Sequence, residues 1–295
     1  MAPASAARRK SNPIVLPASD SLSDEEFTRI ADLVGGHTGI RLPAGKRTMV
    51  EGRIRKRMRA VGQSSFSGYC HYVFEDGGLA SEVTHMIDAV TTNKTDFFRE
   101  PEHFEVLRRQ IVPDCLSRSK GAAKTGIKVW SAAASNGAEA YTIAMVLAET
   151  AGSGRKFDYS ILGTDISTDI LAQARRAVYP GDFVSPVPAE MQQRYLMRSR
   201  DPSASEVRIV PELRRRVGFM HLNLMDEKYP VDTDVDAIFL RNVLIYFDKP
   251  TQAAVVGRLL RHLRPGGYLL LGHSESMIGT SLRLKQLAPS VFKLV

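Results

Sequence analysis

The sequence predicts an α/β protein in which a mostly parallel sheet, with helices on both faces, follows a helical N-terminal module. Three observations support this fold class. Short apolar strands alternate with helices through residues 126–295, and strands separated by helices form parallel sheets because each crossover covers one face. Polar residues follow the ends of these strands. The preceding part of the chain shows helical periodicity instead.

The composition is that of a soluble globular protein with a basic charge. The chain has 295 residues, of which 43% are hydrophobic and 24% charged, and its net charge is +8. No apolar run approaches the roughly 20 residues that a membrane helix needs. Cys70 and Cys115 are far apart and lack metal-ligand spacing, so neither a disulfide framework nor a zinc site is expected. This use of cysteine fits a reducing environment, and we expect a cytoplasmic location. Positive charge alone favours nucleic acid, an anionic membrane or an acidic protein equally.

Residues 1–21 predict a disordered basic tail. They are rich in Ala, Ser and Pro and contain Arg8, Arg9 and Lys10. They lack the continuous apolar segment of a signal peptide. A helical domain is expected to follow, over residues 22–90.

Four helices are expected in this domain. Ser23 and Glu26 form a capping-box pattern that begins the first helix, and the glycine pair 35–36 is expected to end it. The third and fourth helices are expected near residues 67–74 and 80–89. Apolar residues recur at helical spacing in the first two helices and are predicted to face the core. They are Phe27, Ile30, Leu33, Val34, Val50, Ile54, Met58 and Val61.

The second helix has a strongly basic outer face, on which Glu51 is the only acid. Its basic residues are Lys46, Arg47, Arg53, Arg55, Lys56, Arg57 and Arg59. A solvated helix face normally mixes signs, whereas unrelieved positive charge is self-repelling. We therefore expect a docking surface for an acidic partner, with a plain solvated face as the alternative. Residues four apart share a face, so Arg53 lies with Arg57 and Arg55 with Arg59.

The segment TTNKTDFFRE, Thr91 to Glu100, predicts a polar loop anchored by buried aromatic rings. Thr, Asn and Asp favour turns and caps because their side chains hydrogen-bond to nearby backbone. Phe97 and Phe98 need burial and would carry the polar residues close to a buried place. Arg99 could then bind a carboxylate, since the guanidinium fork matches its two oxygens. A helix cap with two core phenylalanines and a surface arginine is the alternative.

Strands and helices are expected to alternate from residue 127 onward. Ligands of such sheets bind at the carboxyl ends of the strands, where the strand order reverses. The expected strands are IKVWS, YSILGTD, VDAIFLRN and GYLLLG, and the expected helices cover residues 138–151, 168–177 and 251–263.

Two candidate site segments follow the first two strands. In SAAASNGAEA, small residues let the backbone approach a ligand, and Gly137 can adopt a positive φ. With one glycine, this turn is a weak dinucleotide signature. Glu139 begins the next helix, where an acid could also simply favour the helix dipole. Asp165 ends the second strand, a position whose acid commonly binds ribose hydroxyls.

Two more candidate segments lie further along the chain. In HLNLMD, Asn223 and Leu224 could bracket a flat base. In LRNVLIYFD, Asn242 follows the strand directly and Tyr246 lies four residues on. Taken singly, each residue fits an ordinary turn or core position. Polar groups at four successive strand ends of one sheet together predict a ligand site.

These segments resemble the motifs of the chemotaxis-receptor glutamate methyltransferases, the CheR family, from Asp24 to Val295. The resemblance implies a class I methyltransferase-like sheet over residues 126–295, a linker over 91–125 and the helical domain before it. The final stretch, SLRLKQLAPSVFKLV, would supply a last antiparallel strand. The resembling motifs are TTNKTDFFRE, VWSAAASNGAEAYTIAM, GTDIS, NLMDEKYP, AIFLRNVLIYFDKPTQ and LRPGGYLLLGHSES.

The resemblance also implies a function. A cytoplasmic, bacterial, monomeric enzyme would transfer a methyl group from S-adenosylmethionine to glutamate side chains on chemoreceptor helices, for adaptation in chemotaxis. Arg99 and Tyr246 would lie near the methyl group and the glutamate. The basic residues Arg53, Arg55, Arg57 and Arg59 would recognise the acidic receptor surface. The residues implied to bind the cofactor are Asn93, Thr95, Arg99, Glu139, Asp165, Asn223, Leu224, Asn242 and Val243.

Two features of the chain depart from the family pattern. The turn SNGAEAY replaces the usual STGEEPY, so Asn136, Ala138 and Ala140 are atypical while Glu139 is retained. Some relatives carry a β-subdomain that captures a peptide at the receptor's C-terminus, and here this insertion would span residues 179–216. The glycines associated with the peptide-binding loop are absent, which leaves that partner open.

The chemistry requires no general base, since a glutamate of pKa about 4.3 is already ionised at pH 7. No metal site is expected. His273, in GHSES, is expected to be a loop residue.

Two other functions stay open. A nucleic-acid methyltransferase would need aromatic stacking platforms, whereas the single tryptophan, Trp130, lies within a predicted strand. A non-catalytic signalling module could bind the cofactor as a ligand.

Overall fold

The computed structural model describes residues 20–118, 126–154, 156–201, 203, 205–275 and 282–295. Contacts divide the chain into two units. The first contains the described residues through Val34 together with Leu42–Val90, and the second contains Gly35–Arg41 and Thr91–Val295. Of the expected tail, residues 1–19 lie outside the described part. No described helix is long and apolar enough to cross a membrane.

The first unit is helical, as predicted. The Ser23 amide donates to Glu26 Oε2 at 2.8 Å and the Glu26 amide to Ser23 Oγ at 3.2 Å, which confirms the capping box. Val50, Ile54 and Met58 are fully buried, which confirms the apolar stripe of the second helix at these positions. Val61, predicted to continue it, follows the helix and is half-buried against the same core. The helices are α1 Asp24–Thr38, a 3-10 turn Ala44–Lys46, α2 Arg47–Ala60, α3 Phe66–Phe74 and α4 Leu79–Val90.

The predicted end of α1 at the glycine pair 35–36 is wrong. The helix continues to Thr38, and the Gly39 amide donates to the Gly35 carbonyl at 2.8 Å. A glycine inside a helix costs about 1 kcal/mol relative to alanine, but it ends the helix only where the backbone turns left-handed. That residue is Gly39, with a φ of 70°.

The positive charge on α2 is partly neutralised by α4. Arg57 Nε and Nη2 donate to the two oxygens of Glu82 at 2.7 and 2.6 Å, and Glu82 is only 1% exposed. Burial by itself would raise the pKa of Glu82, but the hydrogen bonds and charge of Arg57 lower it overall. The expectation of unrelieved positive charge is therefore wrong at Arg57, because its counter-charge comes from another helix.

The other predicted docking residues of α2 differ in whether their guanidinium groups already form hydrogen bonds within the protein. Arg53 Nη1 donates to the Val90 carbonyl at 2.8 Å, and Arg55 donates to the Asp20 carbonyl. Arg59 is exposed. Of the four arginines, Arg59 therefore keeps the fullest access to a partner.

The described part of the second unit contains a sheet of seven strands in the order β6-β2-β1-β7-β8-β10-β9 and a three-stranded sheet in the order β3-β5-β4. The strands are β1 Gly126–Ala132, β2 Asp158–Asp165, β3 Val178–Pro180, β4 Leu196–Arg198, β5 Glu206–Ile209, β6 Val217–His221, β7 Val235–Leu240, β8 Leu263–Leu271, β9 Leu284–Ala288 and β10 Val291–Leu294. Neighbours from β6 to β8 pair in parallel, whereas β10 pairs antiparallel with β8 and β9. This confirms the class I methyltransferase-like sheet.

Helices cover both faces of the large sheet. Val129 of β1 packs in one apolar cluster with α7, while its neighbour Trp130 packs in a second cluster with α11. Residues 102–118, expected in the linker, are helical with an internal π turn at Leu107–Ile111. The remaining helices are α5 Glu102–Val106, α6 Val112–Arg118, α7 Ala138–Gly152, α8 Thr168–Arg176, α9 Ala189–Tyr195, α10 Pro211–Arg214 and α11 Lys249–Leu260.

Two details of the strand prediction change. The C-terminal stretch forms two antiparallel strands, β9 and β10, where one was expected. The expected insertion over residues 179–216 contains the small antiparallel sheet. Residues 202 and 204, between two of its strands, lie outside the described part.

Both cysteines are buried and free, and burial raises the pKa of each thiol to about 12, so neither is reactive near neutral pH.

Candidate active site

The candidate site lies at the carboxyl ends of the parallel strands. The strand order reverses next to β1, with β2 and β6 on one side and β7 and β8 on the other. Such a reversal leaves a crevice in which ligands of open α/β sheets bind. Asp165, Asn223 and Asn242 end or follow β2, β6 and β7, so the predicted residues lie at one edge of the sheet.

The turn after β1 is held in a strained shape. Gly137 has a φ of 86°, and a Cβ there would lie 2.9 Å from the Phe219 ring, so glycine is required. Ser135 also has a positive φ, 51°, and its amide donates to Asp165 Oδ2 at 2.8 Å. The other oxygen of Asp165 accepts from the Ser167 amide at 3.0 Å. The acid at the end of β2 thus shapes the turn after β1.

The TTNKTDFFRE segment packs against this turn. Phe97 is 1% exposed, and its ring meets the Tyr179 ring edge-on at 5.0 Å. The carbonyl of Asn93 accepts a hydrogen bond from Ser135 Oγ at 2.8 Å. Thr95 is half-buried. The prediction of a polar loop anchored by buried aromatic rings is confirmed for Phe97, whereas Phe98 is only half-buried.

Arg241 is the centre of a charged cluster to which the sequence analysis assigned no role. Its side chain is 3% exposed. Nη1 donates to Glu139 Oε2 at 2.9 Å, Nη2 lies 3.1 Å from Glu100 Oε2, and Nη2 also donates to the Arg99 carbonyl. The other oxygen of Glu139 accepts from Ser131 Oγ at 2.7 Å. One guanidinium therefore joins the end of β7 to the start of α7 and to the FFRE motif.

Asn242 connects the same cluster to Arg99. It has a φ of 60°, its Nδ2 donates to Glu100 Oε1 at 3.1 Å, and its Oδ1 accepts from Arg99 Nη2. Arg99 Nη1 also donates to the Lys94 carbonyl at 3.1 Å. Direct contacts thus join Arg99 and Asn242, and Arg241 links both to Glu139.

The Glu275 carboxylate holds the backbone on which Asn242 sits. It accepts hydrogen bonds from the amides of Gly272, Asn242, Val243 and Leu244 at 2.6, 2.9, 2.7 and 2.7 Å. Burial raises the pKa of this carboxyl, and the four amides oppose that rise. Glu275 therefore fixes the loop after β7, a role that the sequence analysis missed.

The segment before the second helix also reaches the predicted site residues. Asn223 Nδ2 donates to the His37 carbonyl at 2.6 Å, and the Arg41 amide donates to the Tyr246 carbonyl at 3.2 Å. Leu224 is buried. We name residues 35–41 the strap, and nothing in their sequence predicted this placement.

Glu100, His103 and His273 bring one ligand-type atom each within 4.8 Å of one another. The two oxygens of Glu100 already accept from Arg241 and Asn242, so a metal ion would have to compete with a buried guanidinium. His273 lies in the turn after β8 with half of its side chain exposed, which confirms it as a loop residue.

The buried His103 should make stability depend on pH. It is 2% exposed, neither ring nitrogen has a hydrogen-bond partner among the described residues, and burial lowers its pKa to about 4. The unfolded chain takes up this proton near pH 6.5, so between pH 6.5 and 4 it binds more protons than the folded chain. We expect the free energy of unfolding to fall with decreasing pH over that window, by up to about 3 kcal/mol from this group.

Urea unfolding of the wild type and of His103→Gln across this range measures the effect. The variant should lose stability less steeply than the wild type as pH falls. Parallel pH profiles for the two proteins would contradict the assignment.

The site has features that fit S-adenosylmethionine. Asp165 ends β2 beside the crevice, where an acid commonly binds ribose hydroxyls, whereas the room expected beside Gly137 is filled by Phe219 and Ala174. Trp130 is fully buried, and its Nε1 donates to Thr164 Oγ1 at 2.9 Å. It therefore offers no surface on which a nucleic-acid base could stack.

Comparison with known proteins gives a family. The family model described as CheR methyltransferase, SAM binding domain, matches residues 93–292, and that described as CheR methyltransferase, all-alpha domain, matches residues 25–91. A chemotaxis protein methyltransferase of Borreliella burgdorferi is 34% identical, over 92% of this chain and 95% of its own. A chemotaxis protein methyltransferase of Escherichia coli is 38% identical, over 93% of this chain and 92% of its own.

Among solved structures, a glycopeptide N-methyltransferase complexed with S-adenosylmethionine is similar over 62% of this chain and 64% of its own. The identity is 15% and the TM-score 0.31.

Proposed function

Because the chain belongs to the CheR methyltransferase family, we propose that it transfers the methyl group of S-adenosylmethionine to glutamate side chains on chemoreceptor helices. The products are a glutamyl methyl ester and S-adenosylhomocysteine. The chain carries the family's SAM-binding domain, and the relatives named as chemotaxis protein methyltransferases support the chemotaxis setting. The Arg99 guanidinium, held by Asn242 at the carboxyl end of β7, is the observation that supports a carboxylate substrate most directly, because its fork matches the two oxygens of a carboxylate.

The proposed reaction needs positioning more than acid–base chemistry. When bound, the cofactor supplies a methyl group on a sulfonium, whose leaving group is neutral. Arg99, oriented by Asn242 and the Lys94 carbonyl, would align the glutamate carboxylate, and the Tyr246 hydroxyl would assist. Alignment of reacting groups is worth at most about 7–11 kcal/mol. Carboxylate charge falls in the transition state, so an overly tight ion pair would slow the reaction.

We assign cofactor binding to the strand-end residues and the linker motif. Asp165 would bind the ribose hydroxyls. The Glu139 carboxylate, at the start of α7, would face the ammonium group of the cofactor. The proposed cofactor residues are Asn93, Thr95, Arg99, Glu139, Asp165, Asn223, Leu224, Asn242 and Val243.

Receptor recognition is assigned to the basic face of α2, with Arg59 as its most accessible arginine. We expect Arg59→Glu to reduce receptor methylation several-fold at limiting receptor, without changing thermal stability or S-adenosylhomocysteine affinity. The exposed Lys285→Glu, with the same charge change on β9, is the matched control. An equal loss of receptor methylation in both variants would mean that the net charge of the protein, and not the position of Arg59, controls receptor recognition.

Arg57 is expected to behave differently from Arg59. Arg57→Gln leaves the buried Glu82 without its cation and should lower the free energy of unfolding by about 3–5 kcal/mol. Urea unfolding measures this, with Arg59→Gln as the comparison that should stay near wild type. Wild-type stability in Arg57→Gln would show that the Glu82 pair does not hold α2 to α4.

Transfer of labelled methyl groups to a receptor fragment tests the proposed activity. The expected product is a base-labile ester on glutamate. Label on nucleic acid would favour the alternative substrate class. Calorimetric binding of S-adenosylhomocysteine without any transfer would favour a non-catalytic module.

A further inference from the structure

A second cavity in the same unit carries a concentration of positive charge. Its volume is about 510 Å³, and its lining includes the guanidinium-bearing residues Arg175, Arg214 and Arg215. None of the predicted cofactor or catalytic residues lines it. Its volume lies within the range of about 300–1,000 Å³ that is usual for small-molecule sites. The cavity is therefore large enough for a ligand of its own.

The charges in this cavity are poorly compensated. No carboxylate lines it. Among the described residues, Arg175 and Arg214 have no carboxylate within salt-bridge distance. The exposed Arg175 donates from Nη2 to the Phe219 carbonyl at 3.0 Å, and the buried Nε of Arg214 has no hydrogen-bond partner. Arg215 lies 3.7 Å from Glu212, but both side chains are about 70% exposed, where an ion pair contributes little. Guanidinium groups gathered without acids are suited to an anion.

The remaining lining restricts the kind of anion. Pro211, Val217 and Phe219 give the cavity an apolar wall. Inorganic phosphate alone would leave that wall uncovered, whereas an organic phosphate ester would bury it. The planar guanidinium fork binds phosphate oxygens in pairs, which is why arginine is common in phosphate sites.

We infer that this cavity binds a small phosphate ester, with the phosphoryl group held by Arg175 and Arg214 and the organic part against Phe219. Phe219 also fills the space beside Gly137 and Gly163, where an added Cβ would lie 2.9 and 2.6 Å from its ring. The wall of this cavity is therefore the packing partner of the turn proposed to bind the cofactor. The arginines themselves lie outside the methyl-transfer site.

Isothermal titration calorimetry on the full chain, saturated with S-adenosylhomocysteine, tests the inference. The saturating ligand prevents the probes from entering the cofactor site. The probes are inorganic phosphate, glucose 6-phosphate and adenosine 5′-monophosphate at constant ionic strength. We expect at least one ester to bind more tightly than inorganic phosphate, and the double variant Arg175→Gln/Arg214→Gln to weaken it at least 10-fold.

The exposed Arg261→Gln is the matched control and should bind like wild type. Unchanged S-adenosylhomocysteine affinity in the double variant shows that it is folded. Absence of binding by every ester, or equal weakening in the control, overturns the inference. Co-sedimentation with phosphatidylglycerol vesicles, lost in the double variant while no soluble ester binds, would instead assign these arginines to a lipid surface.

Discussion

Replacing Arg241 with methionine is expected to abolish measurable methyl transfer and to lower the free energy of unfolding by about 3–5 kcal/mol. Methionine fills much of the arginine volume but carries no charge. Glu139 and Glu100, which are 12% and 14% exposed, would then lose the cation between them. Removing one member of a buried ion pair is costly because the other charge stays desolvated.

Arg264→Met provides a matched control. Arg264 Nη1 lies 3.0 Å from the buried Asp236, away from the predicted site residues, so this variant should also lose stability. Urea unfolding and kcat/KM on a receptor fragment measure the two effects separately. Saturating S-adenosylhomocysteine should stabilise Arg264→Met more than Arg241→Met, since only the second has a damaged site. Equal activity per folded molecule in both variants would exclude a positioning role for Arg241.

Replacing Arg99 with alanine is expected to leave a folded protein that has lost at least about 100-fold in kcat/KM, since misplacing a reacting group by about 1 Å can cost that much. Its guanidinium is half-buried and, within the described part of the chain, donates to Asn242 and the Lys94 carbonyl, so its removal should cost about 1–2 kcal/mol of stability. Arg99→Lys keeps the positive charge but not the planar guanidinium group, and it should retain more kcat/KM than Arg99→Ala.

Separating the two proposed roles of Arg99 requires two measurements. Calorimetry with S-adenosylhomocysteine reports its share of cofactor binding, and kcat at saturating cofactor and receptor reports positioning. Arg261→Ala, at the exposed residue directly after α11, should leave both unchanged. Near wild-type turnover in Arg99→Ala would rule out its assignment to the substrate carboxylate.

Local chemistry explains which parts of the fold could be predicted. β7 is buried at every residue, as expected for a parallel strand covered on both faces, and its apolar sequence is recognisable without a structure. β1 and β2 are fully buried only towards their carboxyl ends. Ser23 and Glu26 encode the start of α1 within four residues. The pair of Arg57 with Glu82 spans 25 residues, and nothing local indicates which acid meets which arginine.

The site divides in the same way. Arg99, Asp165 and Asn242 stand in motifs at strand ends and could be nominated from the sequence. Arg241 and Glu275 could not be given roles, because most of their partners are distant in sequence. Glu100 is 141 residues from Arg241, and the Asn242 amide is 33 residues from Glu275. A charged residue ending the otherwise apolar run AIFLR was the available signal, and burial of such a charge requires partners.

The strap has a consequence for how the protein matures on the ribosome. His37 and Asn223, joined by one hydrogen bond, are 186 residues apart. At a translation speed of about 5–20 residues per second, the first emerges roughly 10–40 s before the second. The hydrogen bond between the strap and Asn223 can therefore form only after synthesis has passed Asn223, so this attachment of the strap is made late in translation.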